Sequence, residues 1–146
     1  MDAGRMAPGV QPSEIMTSGP VGAPLARSAA RRAPLLQGVY FLLTGVWPLV
    51  SMRTFEMVTG PKVDRWLVKT VGVLIAVIGS SLVLDRHRPS PGTTALGLGS
   101  AVALGGVDVV YAARGRISSV YLLDAVAEAV LVAMWLAGGR RPRRSG

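Results

Sequence analysis

The sequence predicts an all-α protein: a four-transmembrane-helix bundle with a disordered N-terminal tail and a short basic C-terminal tail. Three observations carry this prediction. Half of the 146 residues are apolar and the mean hydropathy is positive, +0.43. Charged residues make up 16% of the chain, against roughly 25% in soluble domains. The apolar residues gather into four runs, Leu35 to Val50, Trp66 to Leu84, Ala95 to Ala112 and Ile117 to Ala137, each near the length a helix needs to cross a bilayer. The chain thus divides into a basic tail at 1–34, a transmembrane domain at 35–137 and a basic tail at 138–146.

Residues 1–34 hold five prolines, several glycines and many alanines without an apolar period, so no surface there is large enough to offset the entropy of ordering. Arg27, Arg31 and Arg32 precede the first apolar run, but no small-residue cleavage site follows, which predicts an uncleaved first helix. That run is the shortest and carries Gln37, Thr44 and Pro48, with Trp47 placed as an interfacial anchor where the helix leaves the hydrocarbon. Ser51 to Arg65 reads as an amphipathic loop with a turn at Thr59-Gly60-Pro61-Lys62 and a capping Asp64 ahead of the second span. Within the second span, Gly72 and Gly79 allow close approach of a neighbour. The polar stretch at 85–94 holds His87, the only histidine, read as a solvated loop residue.

In the third span Gly97, Ala101 and Gly105 recur at four-residue spacing, and Asp108 and Ala112 continue the stripe, which predicts a face packed on another helix. The fourth span has Ala125, Ala129 and Ala133 at the same interval. With only Ala113 to Arg116 between them, the two spans are expected to form an antiparallel hairpin. The terminal Arg140-Arg141-Pro142-Arg143-Arg144 is a solvated membrane flank.

Charge orients the bundle. Four spans put both termini and the 85–94 loop on one side, which carries ten Lys and Arg, against six on the other. The positive-inside rule then places both termini in the cytoplasm. Arginine outnumbers lysine fourteen to two, which with the alanine and glycine richness points to a bacterial inner (cytoplasmic) membrane as the address. The net charge of +8 lies mostly beside the spans, so the expected partners are the bilayer and its anionic lipids, not nucleic acid.

The candidate site lies inside the membrane. Asp124 and Glu128 stand one turn apart on one face of the fourth span, and an ionisable group at membrane depth is by default a functional-site hypothesis. Counting about 1.5 Å per residue from the Arg114 to Arg116 turn puts Asp108 and Asp124 roughly 10 Å into the hydrocarbon and Glu128 near its midplane. Lys69 enters from the same side and completes the predicted polar cluster of Asp108, Asp124, Glu128 and Lys69. Arg114, Arg116, Tyr111 and Tyr121 form its rim. Two acids cost the fourth helix on the order of 5 to 7 kcal/mol on insertion, while its apolar residues return roughly 3 to 5. The carboxyls must therefore be paired with Lys69 and the arginines, or Glu128 must hold a proton.

The function the sequence favours is that of a structural or partner-binding membrane component, in which paired, dry acids fix helix register, with transport as the alternative. Lining water, they serve a proton- or cation-coupled small-molecule transporter. That second version is expected to be a homodimer, since four helices are too few to enclose a roomy cavity. Cysteine is absent, and no Ser or His base arrangement, metal-ligand spacing or nucleotide motif occurs, so no enzyme, metal or cofactor is expected. The segments TGPKVDRWLVKTVG at Thr59–Gly72 and YLLDAVAE at Tyr121–Glu128 resemble parts of small four-helix bacterial integral membrane proteins of unknown function. The resemblance covers about residues 35–137, implies the four-span fold and implies no activity.

Overall fold

The computed structural model describes residues 31–139, so the tail expectations for 1–30 and 140–146 fall outside it, whereas Ala33 and Pro34, expected in the N-terminal tail, are buried in the first helix, and Gly138 and Gly139, expected in the C-terminal tail, end the last. Five helices occur among the described residues: α1 (Ala33–Val50), α2 (Met52–Thr59), α3 (Arg65–Leu84), α4 (Pro91–Ala113) and α5 (Tyr121–Gly139). All but α2 are long and apolar enough to cross a membrane, and no strand occurs among the described residues. The chain is an all-α, multi-pass membrane protein.

Local chemistry sets the helix ends. Proline stands in the first turn of α1 and of α4, where a missing N–H removes no hydrogen bond. Ser90 caps α4 by accepting from the Thr93 amide at 3.0 Å. Asp85 holds the short α3–α4 connection, its carboxylate accepting from the Ser90 amide at 3.0 Å and from the Thr93 hydroxyl. These bonds hold the Asp85 carboxyl below the usual carboxylate range.

The segment read as a loop before the second span contains α2. Ser51 ends α1 and caps α2, its hydroxyl accepting from the Thr54 amide at 3.4 Å. Trp47 donates to the Thr54 hydroxyl at 2.9 Å and meets Phe55 edge-on, ring centres 5.7 Å apart. Gly60 closes α2 with φ 87°, a conformation that favours glycine. Asp64 precedes α3 but makes no side-chain cap bond; Glu56 ties the corner instead, accepting from Arg65 Nε at 2.9 Å and from its NH2 at 2.7 Å.

The Arg65 hydrogen bond holds the Glu56 carboxyl below its ordinary range. A depressed folded-state value stabilises above the unfolded value, near pH 4.3, and the contribution is lost as pH falls through the folded value. The α2–α3 tie is therefore expected to persist through neutral pH and to release only in acid. Amide exchange of α2 checks this: protection unchanged from about pH 7 to 5, and a Glu56→Gln protein already showing at neutral pH the faster exchange that wild type shows only in acid.

Two antiparallel pairs build the bundle, α1 with α3 and α4 with α5. The α1–α3 seam is a backbone contact between two glycine pairs. A Cβ on Gly45 would lie 2.6 Å from the Gly72 carbonyl oxygen, and one on Gly72 equally close to that of Gly45. Gly38 and Gly79 repeat the arrangement at 2.8 and 2.7 Å. Such separations exist only where side chains are absent, and they let dispersion contacts run along the full seam.

In the α4–α5 seam, Gly97 receives the Trp135 ring, which would sit 2.7 Å from an added Cβ, and Gly105 receives Glu128. The alanine stripe expected to face this seam does not do so throughout: Ala129 and Ala133 are exposed, and Glu128, Leu131 and Trp135 are buried instead. The fourth helix also starts later than the apolar run, at Tyr121, because Gly115 (φ 64°) and a turn at Ser118 to Val120 occupy the connection.

Candidate functional site

The two pairs fit closely in the half of the bundle next to the chain termini and separate in the other half. In the closed half, Ala33, Leu82 and Trp135 form an apolar cluster with Ile78, Leu98 and Met134. Gln37, fully buried, locks it. Its amide donates to the Gly97 carbonyl at 2.8 Å and to the Ser100 hydroxyl at 3.3 Å, and its carbonyl accepts from Trp135 Nε1 at 2.6 Å. One side chain thus joins α1, α4 and α5 with its polar groups satisfied, as burial requires.

In the open half lies a cavity of about 640 Å³, lined by all four long helices and by α2. Asp108 from α4, Asp124 and Glu128 from α5, and Tyr40 from α1 bring polar groups to a lining that is otherwise mostly apolar. The Tyr40 hydroxyl donates to the Asp124 carboxylate. Asp124 occupies the first turn of α5, where the helix dipole favours negative charge. Glu128 is 1% exposed and Asp108 7%, and Glu128 Oε2 and Asp108 Oδ2 have no hydrogen-bond partner among the described residues. Buried carboxyl oxygens left so are costly unless something further meets them.

The structure gathers Asp108, Asp124 and Glu128 but not the bases grouped with them. Lys69 is exposed on α3 and lies outside the cavity lining, because α3 turns its apolar residues Val68, Val71 and Ile75 inward. Arg114 and Arg116 are exposed on the α4–α5 connection. Among the described residues the single ion pair is Arg65–Glu56, at 2.7 Å. Of the rim tyrosines, Tyr121 lines the cavity and lies beneath the Lys62 ammonium, 4.9 Å from its ring centre, whereas Tyr111 faces outward.

Sequence reasoning missed Tyr40 and Gln37. The signal was present: Gln37, Tyr40 and Thr44 repeat at helical spacing along one face of the first span. Polar side chains on one stripe of a membrane helix mark its protein-facing side.

Fold and site together define a class: a small four-span membrane protein with a cavity between its helices lined by three carboxyl groups. Comparison with known protein families, with curated proteins and with solved structures finds no match for this chain.

Proposed function

We propose that the protein is a proton-exchanging carrier of the bacterial inner membrane. The observation that carries this reading is that Asp108, Asp124 and Glu128 line one mostly apolar cavity and none of them is in an ion pair among the described residues. Three neighbouring negative charges in apolar surroundings are untenable without compensation. Protons supply it when the chamber is empty, and a positively charged ligand supplies it when the chamber is filled. Competition of the two for the same oxygens is the coupling a carrier needs.

Transport further requires the closed half to open, and the Gln37 bonds are the group that must break. With the termini cytoplasmic, as the arginine distribution favours, the open half faces away from the cytoplasm. The alternative of a structural or partner-binding component rests on paired, dry acids, and the exposed position of Lys69 removes the nearest pairing.

Modification by a hydrophobic carbodiimide, which reacts with protonated carboxyls inside membranes, tests the reading. In lipid vesicles near pH 7, peptide mass spectrometry is expected to find Glu128 modified, to the same extent in Lys69→Met. An unmodified wild type that becomes reactive only in Lys69→Met would mean an ion-paired lock and end the carrier reading.

A further inference from the structure

Resting on the carrier reading, we infer that the chamber's ligand is a hydrophobic organic cation, its apolar body held in the cavity and its charge met by Asp108, Asp124 and Glu128. Two independent observations converge. Asp108 and Glu128 both line the cavity, and each keeps a buried carboxyl oxygen, Asp108 Oδ2 and Glu128 Oε2, with no hydrogen-bond partner among the described residues. The rest of that cavity is apolar, with Phe41, Val71, Ile75 and Leu104 on its walls and Trp47 and Phe55 at the α1–α2 corner. Aromatic faces attract organic cations, and a volume of about 640 Å³ lies in the range that holds drug-sized molecules.

Other ligand classes fit less well. An inorganic cation such as Ca²⁺ needs about six to eight oxygen ligands. No three His, Cys, Asp or Glu side chains among the described residues converge in a way that could hold a metal ion. An anion would be repelled by the acids, and a sugar-like molecule would find few hydrogen-bonding groups, one of which, the Tyr40 hydroxyl, is already engaged with Asp124. An apolar body with delocalised positive charge loses little hydration on leaving water and gains both the walls and the carboxyls.

Binding is expected to depend on pH. The titratable groups facing Glu128 are Asp124 on its own helix, Asp108 from α4 and Tyr40 from α1. The residues that α2 and α3 contribute to the lining carry none, and Lys62 stands over the Tyr121 ring. Protons therefore compete with the cation at carboxyls alone.

The test uses the full chain in lipid nanodiscs and two probes of the same shape and opposite charge, tetraphenylphosphonium and tetraphenylborate, with empty discs as the blank. Calorimetry near pH 8 is expected to show saturable binding of the phosphonium with proton release, and no borate binding above the blank. Near pH 5.5 the phosphonium should bind about tenfold or more weakly, and Glu128→Gln near pH 8 should weaken it about tenfold. If Glu128→Gln does not fold, Asp108→Asn takes its place, and the comparison of the two probes on wild type stands alone. Equal binding of both probes, or phosphonium binding unchanged by pH and by both variants, would overturn the inference. Carbodiimide modification of Glu128 without phosphonium binding would overturn the ligand class and leave proton exchange standing; absence of both would end both readings.

Discussion

Replacing Gly45 or Gly72 with valine is expected to prevent the α1–α3 pair from closing. The new Cβ would meet a backbone carbonyl at 2.6 Å, and a carbonyl inside a helix cannot turn aside as a side chain does. Overpacking in ordinary cores costs about 1 to 3 kcal/mol; with backbone on both sides, about 3 kcal/mol or more is expected. Loss of the folded band in a detergent unfolding series would measure it. Gly99→Ala and Gly106→Ala are the controls, since an added Cβ there meets nothing within 4 Å. They should be neutral or stabilising by up to about 1 kcal/mol through helix propensity. Equal damage from all four substitutions would mean that the seam is not what holds the bundle.

Gln37→Leu is expected to unlock the closed half. It leaves Trp135 Nε1 without its buried acceptor, at a cost of about 1 to 3 kcal/mol, while the Gly97 carbonyl still accepts from the Ser100 hydroxyl at 3.1 Å. The absence of cysteine allows a clean measurement. Leu104→Cys places a thiol at the chamber wall, and a membrane-impermeant maleimide added from the side of the termini should reach it poorly. With Gln37→Leu added, that rate should rise about tenfold or more, while labelling from the opposite side changes little. An unchanged rate would show that the Gln37 bonds do not gate this end.

Much of the fold was legible in the chain. A membrane helix must be apolar over a fixed length, so four spans followed from hydropathy, and their ends lay within a few residues of the observed ones. Two starts differ by four residues: the third span begins at Pro91, ahead of Ala95, and the fourth at Tyr121, after Ile117. The run from Ile117 is apolar enough to be helical, but Gly115 and the serines at 118 and 119 turn the chain first, and hydropathy does not register turn chemistry. For a similar reason α2 was hidden: eight residues of mixed polarity carry no span signal, and the corner is set by the contacts of Trp47, Phe55 and Arg65 with their partners.

The candidate site was partly legible. Acids in a membrane run stand out in any sequence, because each departs from an otherwise uniform requirement, and Asp108, Asp124 and Glu128 were found that way. Their partners were not, because depth along a helix axis says nothing of rotation about it. Lys69 shares the acids' level and faces away from them, while Tyr40 and Gln37 on α1 reach inward. The sequence by itself determined that four helices cross a membrane and that carboxyls lie among them, since the solvent imposes those limits on composition. Only the tertiary structure decided that glycine pairs seal α1 against α3, that one half of the bundle closes around Gln37, and that the acids face a cavity instead of a base. Those outcomes depend on the rotation and separation of packed helices, which side-chain volumes set jointly across neighbours far apart in the chain.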